Sequence, residues 1–200
     1  MKPIPIRILI LALAAVLCTT SGIASDTPVS GDALLTIYRN DRLRPLVTDY
    51  YARLTQDRAV AVAILETCDS LDIDPSLAFA MAWNESHFDP RAVSYNATTI
   101  DRGLFQLNSA TFSDLDRKTV FDPKANAVHG LTFYKMAFDR LGTEEKALGY
   151  YNSGVGLISS RPYPRSTQAY IKKVLADRAQ MDRDAIAWIY FSHDVSLAFR

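Results

Sequence analysis

Two cysteines, three histidines and no net charge are scarcities that each close off a class of protein for this 200-residue chain. Cys18 falls in an apolar amino-terminal stretch that reads as a cleaved leader, so the mature chain keeps Cys68 alone and is expected to have no internal disulfide. Cys68 lies among Ile64, Leu65 and Leu71 and reads as core filler. His87, His129 and His193 have neither an i,i+4 partner nor a cysteine companion, so no metal-ligand set is read and no cofactor is expected. Lys and Arg match Asp and Glu at 22 each, and removing Lys2 and Arg7 with the leader leaves a net charge of −2. That balance lacks the basic face of nucleic-acid binders. No apolar run is long enough to span a bilayer, and there is no repeat, low-complexity tract or Pro/Gly-rich linker. One monomeric domain is the economical expectation.

What the chain does carry begins with its leader. Lys2 and Arg7 give residues 1–25 a positive start, residues 8–17 are apolar, and Gly22-Ile23-Ala24 offers a small-x-small cleavage site. An exported, periplasmic or extracytoplasmic location follows. Lipid attachment at Cys18 is the alternative, although Leu17 before it is bulky where such sites usually carry a small residue. Residues 26–32 read as a loose leader within an amino-terminal helical extension over 26–57. In that extension Leu46, Val47, Tyr50, Tyr51 and Leu54 form one stripe of a helix over 45–54. The main domain is expected over 58–176. Its first helix, 58–71, carries Val62, Leu65 and Cys68 on one face. Asp122-Pro123 caps a later helix whose buried face is Val128, Leu131, Tyr134 and Phe138, stopping at Gly142. Thr143 begins another, ended by Ser153-Gly154. Pro162 and Pro164 mark a loop over 161–166 before a helix over 167–175. Residues 177–200 read as a carboxy-terminal helical extension, with Trp188, Phe191, Val195 and Phe199 on a face that packs on the domain or docks a partner.

The stretch 73–88, IDPSLAFAMAWNESHF, is predicted as a buried helix. Asp74 is its N-cap, Pro75 its first residue, and Asp89-Pro90 its stop. Leu77, Met81 and Phe88 share a face, and Ala78, Ala80 and Ala82 keep the helix thin. Glu85 then falls in the last turn, where burial and the carbonyl end of the helix both disfavour its charge and raise its pKa toward that of a general acid. A solvated glutamate paired with Arg91 is the plain alternative. Residues 93–102 are expected to form a small β-hairpin or loop across the mouth of a groove. Asn96-Ala97-Thr98 within it has the pattern of a glycosylation acceptor, for which nothing else argues. Gln106 and Asn108, two apart in GLFQLNS, would point to one side of an extended segment.

Taken in order, Glu85-Ser86 with Phe88 and Pro90, Gly103-Leu104-Phe105-Gln106, Asp122-Pro123 with Asn126, Tyr151-Asn152, and the Thr167/Tyr170 spacing resemble the catalytic domain of soluble lytic transglycosylases. These are lysozyme-like enzymes of glycoside hydrolase family 23, and Phe105 stands where that family's block has Met. The resemblance spans residues 58–175 and implies a mainly α, α+β lysozyme-like fold with a small β-hairpin beside a glycan groove. By it, Glu85 is the general acid and then base in cleaving the MurNAc-GlcNAc bond of peptidoglycan with 1,6-anhydroMurNAc formation. Ser86 orients the carboxyl and substrate, and Gln106, Tyr151, Asn152 and Tyr170 line the sugar sites. Amides at Gln106, Asn108 and Asn152 suit hydroxyl and N-acetyl groups, and tyrosine faces suit sugar rings. Peptidoglycan strands are the implied partner, and a secretion or motility apparatus is left open as a second.

Asp101 keeps a further reading open. DRGLFQLNS is similar to the block of c-type lysozymes in which the aspartate is a second carboxylate. An Asp101 facing Glu85 at the ~5–5.5 Å of retaining glycosidases would support hydrolysis, making the protein a muramidase. An Asp101 that pairs with an arginine or caps the hairpin would not. A non-catalytic peptidoglycan-binding protein is the remaining class, and retention of Glu85 argues against it.

Overall fold

A computed structural model describes residues 32–154 and 163–198. The expected leader with Cys18, and the start of the 161–166 loop, lie outside the described residues. Among those described, eight helices and one small sheet appear: α1 (Asp32–Tyr38), α2 (Arg44–Thr55), α3 (Arg58–Leu71), α4 (Pro75–Ser86), α5 (Arg117–Phe121), α6 (Pro123–Leu141), α7 (Glu144–Ser153) and α8 (Arg165–Ala198). Strands β1 (Val93–Tyr95), β2 (Ile100–Arg102) and β3 (Leu107–Asn108) stand between α4 and α5 in the order β1-β2-β3, both pairs antiparallel. This is the mainly α, lysozyme-like architecture expected. No described helix is long and apolar enough to cross a membrane.

Side-chain caps set where the helices begin. Asp57, Asp74, Asp116, Asp122 and Thr143 each accept a hydrogen bond from a backbone N–H in the first turn of α3, α4, α5, α6 and α7. α4 stops at Ser86, two residues before the expected end, because His87 and Phe88 both take left-handed backbone (φ 53 and 67). The turn is therefore complete before Pro90 can act. α4 is apolar all round, as a fully enclosed helix must be. Leu77, Ala78, Phe79, Ala80, Met81 and Ala82 are all buried, with α3, α8 and α1 packed around them. Phe79 stacks on Tyr51 of α2 at 3.8 Å between ring centroids, and the Tyr51 hydroxyl meets Ser76 Oγ at 2.8 Å.

Two expected faces are corrected. On α6, Leu131 and Tyr134 are buried and Phe138 is partly so, but Val128 is exposed and Ala127 and Gly130 take the inner positions beside it. Residues 165–198 are one continuous helix across the expected division at 176/177. Its inner stripe runs Ile171, Val174, Met181, Ala185 and Ile189, so Phe191, one step off that stripe, is left 66% exposed. Trp188 is half-buried beneath the Arg53 guanidinium, and the side chains of Val195 and Phe199 lie outside the described residues.

One polar cluster is enclosed by these helices. Arg178 of α8 pairs with Asp74, the cap of α4, at 2.6 Å and with Glu144 at the start of α7, with Asp182 at 3.8 Å. Burial first, then the nearby Asp182 charge, pushes the Asp74 carboxyl up, and Arg178 opposes both. The start of the Glu85 helix is thereby tied to α7 and α8.

Candidate active site

Glu85 stands in the last turn of α4, where the helix emerges from the core into a groove of about 320 Å³. The groove is lined on the helical side by Glu85, Phe133 and the end of α7, and on the sheet side by Asp101, Gln106, Asn108 and Phe112. Burial raises the Glu85 pKa from 4.5 to about 7; the Tyr170 hydrogen bond opposes the rise, and the charge of Asp101 across the groove adds to it. The Tyr170 hydroxyl, brought in by α8, donates to Glu85 Oε1 at 2.6 Å. The alternative pairing with Arg91 does not occur: that side chain lines a separate concavity. A carboxyl that keeps its proton to about neutral pH, with one oxygen held by a phenol, is equipped to act as an acid.

The sheet wall is held together by amides. Asp101 on β2 accepts from Asn108 Nδ2 at 2.6 Å on one oxygen and from Asn96 Nδ2 at 2.7 Å on the other. No arginine pairs with it among the described residues; its partners are side-chain amides from the hairpin turn and from β3. Asn108 thus reaches the groove while its amide nitrogen serves Asp101 and Thr99. Gln106 does not sit in an extended segment beside Asn108. It takes left-handed backbone at φ 45, and its Nε2 donates to Gly103 O at 3.0 Å and Ala92 O at 3.3 Å. Its carbonyl oxygen remains available to the groove, which both residues line.

The turn of residues 103–106 joins the two walls, and three side chains pin it. Ser86 donates to Leu104 O at 2.7 Å and is buried outside the groove lining, so it ties α4 to the turn. Tyr151 donates to Phe105 O at 2.7 Å while its ring borders the groove and packs at 5.8 Å from Phe133. Asn126, 1% exposed on α6, accepts from Phe105 N at 2.7 Å and donates to Val120 O and Arg102 O. Gly103 is required here: at φ 77, a Cβ would stand 2.3 Å from Asn126 Nδ2. Gly130 is required for the same approach, since its Cβ would stand 2.6 Å from Phe105 Cβ.

Asn152 is exposed at the groove's helical rim, and Tyr170 touches Glu85 from behind without belonging to the lining. Sequence reasoning named Asn126 as part of a motif without a role and missed Asn96, Thr111, Phe112 and Phe133. Phe112 and Phe133 meet edge-on at 5.7 Å, two half-buried rings that give the groove an apolar side. Their only signal was aromatic placement, Phe112 just after GLFQLNS and Phe133 between the buried Leu131 and Tyr134 of α6, which core packing would also produce.

A mainly helical fold with a buried acid and a sheet-borne acidic side chain lining one groove is of the lysozyme-like class. The chain belongs to the transglycosylase SLT-domain family, whose model matches residues 63–172. It is 32% identical over 105 residues to an Escherichia coli protein named X polypeptide, covering 46% of this chain and 62% of that protein. Against the X polypeptide of Escherichia coli strain K12 it is 34% identical over 89 residues, 41% of this chain and 53% of the relative. The chain therefore spans less than two thirds of the length of these relatives. No solved structure matches it significantly.

Proposed function

We propose that the protein cleaves the MurNAc-GlcNAc β-1,4 bond of peptidoglycan without water, leaving a 1,6-anhydroMurNAc end. The observation that carries this reading is the Glu85 carboxyl, shifted up to about 7 and held by Tyr170 at the edge of the groove. Protonated Glu85 gives its proton to the glycosidic oxygen as the C1–O bond breaks, and positive charge develops at the sugar ring. The Asp101 carboxylate, its two oxygens already aligned by amides, stabilises that charge across the groove. Glu85, now anionic and steadied by the Tyr170 hydroxyl, takes the proton of the substrate's own C6 hydroxyl as that oxygen bonds to C1. Glu85 ends protonated, ready for another turnover.

Gln106, Asn108 and Asn152 would meet hydroxyl and N-acetyl groups, while Phe112, Phe133 and Tyr151 would face sugar rings. The location of Asp101 in the same lining supports a second reading, hydrolysis with Asp101 as essential partner of Glu85. The mass of the released muropeptides separates the two. Products lighter by one water than the reducing-end species are expected; reducing-end products that vanish in Asp101→Asn would make the protein a muramidase. The same reading has the chain exported to its substrate and working as a monomer, with service to a secretion or motility apparatus as a narrower form.

A further inference from the structure

The Tyr170 hydroxyl reaches Glu85 from a different helix, so its bond is only as good as the fit of α8 against α4. A hydroxyl donating at 2.6 Å loses much of its bond when the helix behind it slides or turns slightly. α8 packs along α4, and around Tyr170 its inner stripe is Thr167, Ile171 and Val174, all buried. Apolar packing of this kind holds two helices together but has no direction, so it tolerates small shifts of one along the other.

Polar ties supply the direction. Arg178 of α8 holds Asp74, but that contact is at the start of α4, eleven residues and about 16 Å along the axis from Glu85. A second tie stands beside the acid. Asn84, the residue before Glu85, donates from Nδ2 to Asp177 Oδ2 of α8 at 2.8 Å. The same nitrogen donates to Ala80 O, one turn back in α4, also at 2.8 Å. Both N–H groups of the amide are thereby used, and the bond to its own helix keeps the other N–H aimed at α8. Asp177 follows Tyr170 by seven residues, or two turns, so the two side chains lie on one face of α8. That face meets two consecutive residues of α4, Glu85 through Tyr170 and Asn84 through Asp177. Lys173, between them, pairs with Asp177 Oδ2 at 3.0 Å and is exposed.

We propose that Asn84 and Asp177 are positioning residues for the acid: their hydrogen bond sets where α8 lies against the last turn of α4 and so holds the Tyr170 hydroxyl on Glu85. The proposal rests on the reading of Glu85 as general acid. Position and charge act with opposite signs here. Glu85 is faced by Tyr170 from α8, Tyr151 from α7 and Asp101 from β2, and neither Asp177 nor Lys173 contributes to its shift. Loss of a nearby carboxylate would by charge alone lower the Glu85 pKa, whereas release of the Tyr170 hydroxyl would raise it, since that bond holds the pKa down.

The test follows the Glu85 carboxyl by carbon NMR titration in the full chain, together with the pH profile of kcat/KM on peptidoglycan, in Asn84→Ala, Asp177→Ala, Asp177→Asn and Lys173→Met, with Tyr170→Phe as reference. Both alanine variants are expected to raise the Glu85 pKa and carry the basic limb to higher pH, as Tyr170→Phe does, with kcat down about tenfold at unchanged KM. Added to Tyr170→Phe, either should move the titration no further. Asp177→Asn, whose amide oxygen can still accept from Asn84, should stay with wild type, as should Lys173→Met. The alanine variants break one bond from opposite helices, so if one fails to fold the other still decides. A Glu85 titration that stays in place or falls in them while Tyr170→Phe raises it would overturn the proposal, as would an Asp177→Asn that behaves like Asp177→Ala. The titration needs no turnover, so a protein that shows these shifts yet releases no muropeptides would sink the proposed activity and leave the positioning role standing.

Discussion

Glu85 and Asp101 face one groove from walls built on different principles. The Glu85 wall is a helix enclosed on all sides by apolar side chains, and the carboxyl it presents is pushed up to about 7 because burial disfavours its charge. The Asp101 wall is a three-stranded sheet of short strands, only the outermost of them exposed, where each side-chain oxygen of Asp101 accepts an amide N–H. Burial raises the pKa of one carboxyl group, while the other accepts two side-chain amide hydrogen bonds. Two carboxyl groups of one groove thus sit in contrasting surroundings, set by burial in one case and by hydrogen bonding in the other. The walls also differ in how they are held: α4 by packing, the sheet by polar side chains reaching it from α4, α6 and α7.

The largest effect should come from removing the buried acid. Glu85→Gln keeps size and hydrogen bonding but has no proton to give, so turnover should fall by about 10³-fold or more. The same variant probes the environment through stability. Because the folded pKa is raised from 4.5 to about 7, the folded state holds a proton that the unfolded chain loses across that window. Wild-type stability therefore falls as pH rises through it. The melting temperature of Glu85→Gln should exceed that of wild type near pH 8 and converge on it near pH 4; equal differences at both would mean Glu85 is solvated.

Breaking the joint between the walls should cost less. Asn126→Ala leaves the buried Phe105 N–H without its acceptor, together with two carbonyls, and should destabilise by about 2–3 kcal/mol in chemical denaturation. Activity should fall with it as the 103–106 turn loosens; a variant as stable as wild type would show that the turn holds itself.

Asp101→Asn removes the charge and keeps the shape, and a slowing of about tenfold to a hundredfold in kcat is expected. Complete loss would raise the sheet carboxylate to equal rank with Glu85. The smallest effect is a shift of profile: since the Tyr170 hydrogen bond holds the Glu85 pKa down, Tyr170→Phe should move the basic limb of kcat/KM, expected near pH 7, to higher pH. Movement to lower pH would contradict the donor role of the hydroxyl.

The contrast between walls also governs what could be read in advance. α4 was legible because Asp74-Pro75 and an unbroken apolar run are local signals, and Glu85 stood out as the lone acid at the end of such a run. The hairpin was legible as a position, from polar residues between two helices. Its internal chemistry was not: an asparagine pointing at solvent and one pointing at Asp101 have the same sequence, and Asn96 was read only as part of an unconvincing glycosylation triplet. Ser86 was expected to orient the carboxyl and substrate and Tyr151 to offer its ring to a sugar; nothing in their sequence signalled that both hydroxyls also hold backbone carbonyls of the turn.

Local chemistry in the sequence determined where the helices begin, that α4 is enclosed, and that its last turn carries an acid, because caps, prolines and apolar periodicity act within a few residues. The order of the motif blocks determined the family. Tertiary structure alone decided that Tyr170, 85 residues away, donates to Glu85, that Asn96 and Asn108 clamp Asp101, and that Asn126 anchors the turn between them. Those contacts join elements far apart in the chain, and a hydrogen bond depends on where two atoms meet in space, which no local preference of either residue encodes.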